Sequence, residues 1–372
     1  MPFQILCLSG GGFLGLYTAT IVAELEKEFG GPIAGHFDLI AGTSIGGIIA
    51  LGLANEVPGV AIKSAFEANG TRIFSGRAAP KGLLGRGIDL CRSLLSSKYR
   101  PEALRATIAG IIGEETLIGH LGHPCLIPAV NLSKGAPQVF KTDHHQNFRM
   151  DLHLKVVDVA MATSAAPTYF PVAQINDSLY VDGGLYANSP DLLALHEAEH
   201  FFGASLDEVT VLSIGTTTSK FSFPHRPKKD FGLFNWAVGA RLVQTMISSQ
   251  QQLADSMLKH RLGDRYVRLD VQQSREQEES LSLDTATPEA QQTIRALASA
   301  TVQTALNDPK LRASSTMPRQ SRASTTVKNW VLEGHGSRCK SIFQIERSGC
   351  PDAPAANHPQ PGPIRPAKGP LE

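Results

Sequence analysis

Phe37–Ala54, FDLIAGTSIGGIIALGLA, is the stretch whose reading decides the fold. Phe37–Ala41 is a short apolar run, the pattern of a strand buried on both faces. Gly42-Thr43-Ser44-Ile45-Gly46-Gly47 interrupts it with small residues, and Ile48–Ala54 resumes an apolar run. The spacing predicts strand, tight turn, buried helix. Leu39–Asn55 carries no charge, but about 17 residues broken by Gly42, Thr43, Ser44, Gly46, Gly47 and Gly52 fall short of the roughly 20 apolar residues of a membrane span.

The same unit stands upstream. Phe3–Leu8, FQILCL, is stopped by Ser9-Gly10-Gly11-Gly12. Leu16, Ala19, Thr20, Ala23 and Phe29 then recur near helical spacing until Gly30-Gly31-Pro32. Two successive strand–turn–helix units predict an α/β fold. Further strands are expected at Cys125–Val130, Val139–Lys141, Ser178–Val181, Val209–Ile214 and Tyr266–Leu269. Helices are expected at Leu152–Ala162, Phe231–Lys259 and Pro288–Leu306, with Met246 and Met257 as core residues. After Pro309 the chain turns Ser/Arg-rich, and Pro351–Glu372 holds seven prolines with almost no large apolar residue. One domain over 1–309 and a largely disordered basic, then Pro-rich tail over 310–372 are expected.

With 372 residues, 42% hydrophobic and 19% charged, the chain can bury a large core. A formal charge of +1 argues against coating a nucleic acid polymer, which needs clustered cations over a face. The five cysteines form no CxxC pair and read as reduced thiols, and MPFQILCLSGGG lacks the basic start of a secretory signal. A cytoplasmic setting is the expectation.

Two glycine motifs compete for the chemistry. Gly10-Gly11-Gly12-Phe13-Leu14-Gly15 satisfies GxGxxG and invites a dinucleotide-binding reading, with Asp38 at roughly the spacing of a ribose-binding acid. Asp38, however, opens the second apolar run instead of closing it. Gly42-Thr43-Ser44-Ile45-Gly46 is a GxSxG at a strand-to-helix turn, where small neighbours let a nucleophilic hydroxyl stand clear of the sheet. Read blandly, it is a tight turn with a helix-capping serine. A third element, Asp182-Gly183-Gly184, follows a strand-like run and frames an acid as a site residue.

Taken in order, Gly10–Gly15, GTSIGG at 42–47, Ala162–Phe170 (ATSAAPTYF) and Asp182-Gly183-Gly184 resemble the patatin-like phospholipases. The resemblance spans roughly residues 3–216. It implies an α/β/α three-layer fold on a mostly parallel sheet, a Ser44/Asp182 dyad, a Gly10–Gly12 oxyanion loop and hydrolysis of lipid acyl esters, with no metal and no cofactor. Gly15, Gly42, Gly46, Gly183 and Gly184 would support the site. A serine hydroxyl needs a base within reach, and backbone N–H groups free of side chains suit a developing oxyanion. The sequence departs from the family pattern at Ser9 and Leu14, where many members carry Asp and a loop Arg or Lys.

The opening SGGGFLGLYTA and AVNLSKGAPQVFKT (129–142) are similar to bacterial anti-phage effectors that a cyclic dinucleotide switches on to degrade membrane phospholipid. That similarity implies a cyclic dinucleotide activator and action at the inner membrane surface; a homo-oligomer is compatible with the sequence, which does not itself reveal the oligomeric state. The alternatives are a thioesterase or acyltransferase with the same acyl-Ser chemistry, and a non-catalytic lipid- or nucleotide-binding module. Arg77–Arg105, with seven basic residues among leucines, reads either as an interfacial segment or as a helix with a solvated basic face. His144-His145 beside Asp143 is a poor metal site, because adjacent imidazoles seldom converge on one ion.

Overall fold

The computed structural model describes residues 2–74, 97–217 and 241–308. The tail 310–372, residues 77–96 of the basic segment and residues 231–240 of the expected long helix lie outside them.

The first apolar run is strand β1 (Phe3–Leu8), and the second is β2 (Leu39–Gly42), shifted slightly from the expected bounds. Between them, α1 (Gly15–Phe29) ends at Gly30, whose φ of 72° suits glycine and whose N–H caps the Glu26 carbonyl. The wholly apolar α2 (Ile45–Ala54) is buried along its entire length. The chain continues through α3 (Gly59–Ile73), α4 (Pro101–Ile112), β3 (Cys125–Asn131), β4 (Ala136–Lys141), α5 (Val156–Thr163), β5 (Ala173–Ile175), β6 (Ser178–Asp182), the short α6 (Gly184–Ala187) and α7 (Asp191–His200). After β7 (Val209–Ile214) come α8 (Arg241–Leu262), β8 (Tyr266–Leu269), α9 (Arg275–Ser280) and α10 (Pro288–Asn307). Pro288 opens α10 behind Thr287, whose hydroxyl accepts the Ala290 N–H at 3.2 Å.

Strands β3, β2, β1, β7 and β8 run parallel, and β4, β5 and β6 extend the sheet antiparallel beyond β3. Alternate residues of β1 feed opposite faces. Leu6 and Leu8 pack with α1, α2 and α10, whereas Ile5 and Cys7 pack with α7 and the end of α8. The result is the expected three-layer α/β/α arrangement with a mostly parallel sheet.

Two expectations fail locally. The helix read from Leu152 begins at Val156, because the Leu152 and Leu154 carbonyls accept the N–H groups of Gly119 and Ile118 instead of bonding within a helix. Met246 and Met257 are not core residues. They face solvent, since the inner side of α8 is taken by Ser248, Gln251, Ala254, Leu258 and Leu262.

Candidate active site

Strand order reverses between β1 and β7: β2 and β3 lie on one side and β8 on the other. Such a reversal opens a crevice beyond the carboxyl ends of parallel strands. The Gly10–Gly12 loop leaves β1 there, Gly215–Thr217 leaves β7, and Ser44 leaves β2.

Ser44 joins β2 to α2 with φ 55° and ψ −125°, a conformation that costs a non-glycine residue on the order of 1–3 kcal/mol. The surroundings hold it there. Its N–H donates to Thr163 Oγ1 at 3.0 Å, and the Thr163 hydroxyl donates to the Pro128 carbonyl at 2.6 Å. Thr43 Oγ1 donates to the Ala187 carbonyl at 2.6 Å. A side chain at Gly46 would strike the Leu8 carbonyl, and one at Gly42 the Gly46 carbonyl, so both positions exclude a β-carbon. Ala162–Phe170 therefore reaches the elbow through the Thr163 hydroxyl, which accepts the Ser44 N–H, as well as by packing.

Asp182 ends β6, which pairs antiparallel with β3 at Ala129, and this brings the acid to the elbow. Gly183 fits against the Pro128 carbonyl with no room for a side chain, and Gly184 N–H donates to Asp182 Oδ1 at 2.7 Å. Burial pushes the Asp182 carboxyl up to about 6, although hydrogen bonds from the Ser44 hydroxyl and the Gly184 amide pull it back down. An acid titrating near 6 is mostly ionised at neutral pH, the state that can accept a proton from the Ser44 hydroxyl bonded to it.

One part of the glycine-loop expectation is corrected. The Gly10 N–H is not available to an oxyanion, because it donates to the Asn188 carbonyl at 2.9 Å. Its own carbonyl accepts Asn188 Nδ2 at 3.2 Å and Thr216 Oγ1 at 3.0 Å. Among the described residues the Gly11 and Gly12 amides have no acceptor. Gly12 takes φ 56° with its α-carbon against the Leu283 carbonyl, and Phe13 N–H donates to the same oxygen at 2.7 Å. Gly15 packs against Ile45, tying the loop's helix to the elbow's.

The departures at Ser9 and Leu14 also have physical consequences. Leu14 is buried and forms part of an apolar wall, where a cation would be desolvated. Ser9 lies 3.4 Å from both terminal nitrogens of Arg268, which is itself held by Asp270 at 2.7 Å and Ser213 at 2.8 Å.

Above these groups is a cleft of about 360 Å³. Leu14, Ile48, Phe74, Tyr169, Phe170 and Leu281 supply apolar walls, and Ser44, Asp182, Asn188 and Gln273 are among its polar groups. This is the composition of a site for a chain with one reactive polar end. Asn188, Thr216, Gln273 and Leu283 escaped the sequence reading. None sits in a recognisable motif, although Asn188 closely follows Asp182-Gly183-Gly184.

Asp38 is not beside the glycine loop: its carboxylate accepts the Gln4 N–H at 2.8 Å at the opposite, amino-terminal end of β1 and β2. His144 is bonded to Glu197 at 2.9 Å and Thr142 at 2.8 Å, and no group suited to a metal ion occurs among the described residues. Of the basic segment, Lys98 pairs with Asp284 and Arg105 with Glu114 and Asp158.

Residues 6–195 match the sequence profile of patatin-like phospholipases. The chain belongs to this family. Three bacterial relatives named cGAMP-activated phospholipase extend the match beyond those residues. The protein of Pseudomonas aeruginosa is 42% identical over 309 residues, covering 82% of this chain and 90% of that protein. The Vibrio cholerae protein is 38% identical, covering 76% and 85%, and the Escherichia coli protein is 37% identical, covering 79% and 86%. As a patatin-like phospholipase, the chain carries its GxSxG serine on the second strand of the sheet, with the glycine loop on the first.

Proposed function

We propose that this chain is a lipid acyl hydrolase of phospholipase A type, switched on by a cyclic dinucleotide, with Ser44 as nucleophile and Asp182 as its base. The observation that carries the reading is the contact of the strained Ser44 with a buried acid of raised pKa at the floor of an apolar cleft.

In this reading Asp182 takes the Ser44 hydroxyl proton as the oxygen attacks the ester carbonyl carbon of a phospholipid. The oxyanion receives the Gly11 and Gly12 amides, and each such donor is worth roughly 3–4 kcal/mol in the transition state. Collapse expels the lysophospholipid alkoxide, which takes the proton from Asp182. Asp182 then deprotonates a water that attacks the acyl-serine, releasing fatty acid and restoring Ser44. The acyl chain occupies the apolar walls throughout.

The activator follows from the relatives' names, each a cGAMP-activated phospholipase. Residues 1–309 form the hydrolase unit, and its place of action is the inner membrane surface of the cytoplasm. No helix among the described residues is long and apolar enough to cross a membrane.

The test is fatty-acid release from bacterial phospholipid vesicles by the unsubstituted protein and by Ser44→Ala, each with and without cyclic GMP–AMP. Release that needs both Ser44 and the dinucleotide is expected. Release that survives Ser44→Ala sinks the dyad, and acyl transfer to an added alcohol in place of free fatty acid favours an acyltransferase.

A further inference from the structure

Helix α8 presents two different sides. One flank, through Val243 and Ile247, forms part of the cleft wall. A neighbouring flank carries Leu242, Met246, Leu253 and Met257, which are 51%, 37%, 59% and 42% exposed. Positions 242, 246, 253 and 257 fall within about one quadrant of a helix turning roughly 100° per residue, so they form one stripe. It extends about 22 Å at 1.5 Å per residue. Of the nine large apolar side chains exposed among the described residues, four are on this helix. The last turn adds Lys259, His260 and Arg261 on the exposed side.

We infer that this outer face of α8 docks on the lipid surface from which the enzyme draws its substrate. The inference rests on the phospholipase reading, because it is the lipid in the cleft that requires the mouth to lie against a bilayer. The stripe lies on the same helix as Val243 and Ile247 of the cleft wall, with Gln244 also lining the cleft, so one element connects the lipid-binding cavity to an apolar outer face. Apolar side chains on one face with cations at one end suit a helix lying in the headgroup layer, and α8 does not span a membrane. In the Lys259–Asp255 and Arg261–Glu199 bridges the cations are the more exposed partners, and surface pairs of this kind hold their cations only weakly.

Contact there has a direct route to the site. Gln250 of α8 donates through Nε2 to the Leu185 carbonyl at 2.7 Å and accepts the Asn188 N–H at 3.4 Å. Asn188 in turn holds Gly10.

The experiment uses the full chain with cyclic GMP–AMP and vesicles of phosphatidylethanolamine and phosphatidylglycerol. A double variant, Leu253→Glu with Met257→Glu, and a milder Leu253→Ser change residues outside the cleft. Vesicle binding, read by co-sedimentation, should weaken about tenfold or more in the double variant and less in Leu253→Ser. Hydrolysis of vesicle phospholipid should fall in step, while hydrolysis of a short-chain, water-soluble ester stays unchanged. Unaltered vesicle binding overturns the inference. So does a changed sedimentation coefficient without vesicles while binding persists, which would make the stripe a contact between copies of this chain. If the unsubstituted protein cleaves neither ester, the serine-hydrolase reading fails, and vesicle binding alone still decides the docking face.

Discussion

Gly10 and Asn188 hold each other twice: the Gly10 N–H donates to the Asn188 carbonyl at 2.9 Å, and Asn188 Nδ2 donates to the Gly10 carbonyl at 3.2 Å. The first residue of the glycine loop is thereby an anchor, and in the proposed mechanism the amides left for the oxyanion are those of Gly11 and Gly12. Asn188→Ala keeps the backbone bond and removes the other. We expect kcat to fall about tenfold to a hundredfold with little change in KM, because a misplaced donor loses transition-state binding more than substrate binding. Steady-state kinetics on a soluble ester separates the two.

The base must be ionised to accept a proton. With Asp182 held up to about 6, kcat/KM should rise through one acid limb centred near that value and level off above it. A pH–rate profile from about pH 4 to 8 checks this, and a limb centred near 4 would mean that burial does not govern the acid.

The same shift has a stability consequence of opposite sense. Asp182 titrates near 6 in the folded chain against 3.8 for the free side chain, so between these values the folded state binds more protons than the unfolded one. Stability contributed here falls as pH rises through that window and is lowest above it. The full penalty is on the order of 3 kcal/mol. Asp182→Asn should therefore be inactive yet about 1–3 kcal/mol more stable than the parent at pH 8, and nearly equal to it at pH 4. Denaturant melts at the two pH values test this.

Thr163 links the elbow to β3 by accepting from Ser44 N–H and donating to the Pro128 carbonyl. Thr163→Val keeps the shape and strands both buried partners, at a cost of about 1–3 kcal/mol each when unsatisfied. Lower unfolding stability and a kcat loss are expected together. A variant that loses neither would mean that packing alone shapes the elbow.

Gly12 combines φ 56° with an α-carbon set against the Leu283 carbonyl. Gly12→Ala must displace either the loop or residues near Leu283. The expected loss is about 10²–10³ in kcat, the scale of one oxyanion donor. Labelling of Ser44 by a fluorophosphonate should slow as well, whereas near-normal labelling would place the oxyanion donors elsewhere.

Much of the scaffold is legible in the sequence. β1, β2, β3 and β7 are predominantly apolar runs closed by small or turn-forming residues, the pattern expected of strands covered on both faces. Gly30 and Pro288 marked helix ends because their backbone preferences are local. The expected helix start at Leu152 fails because the Leu152 and Leu154 carbonyls bond to Gly119 and Ile118, more than thirty residues upstream, a pairing that local periodicity does not encode. Met246 and Met257 differ from expectation for another reason. An apolar residue on an amphipathic helix reads as core unless one knows which side the rest of the protein covers.

By itself, the sequence determined the parts whose demands are local: a GxSxG turn that bars β-carbons at Gly42 and Gly46, a glycine loop after β1, and an acid framed by Gly183 and Gly184. Only the tertiary structure decided that these parts meet. The pairing of β6 with β3 carries Asp182 to Ser44, the Asn188 carbonyl occupies the Gly10 amide, and α8 turns its leucine and methionine stripe outward. The physical reason is the same in each case. Local sterics and periodicity act within a few residues, whereas hydrogen-bond partners and buried faces are chosen among segments that become neighbours only when the sheet forms.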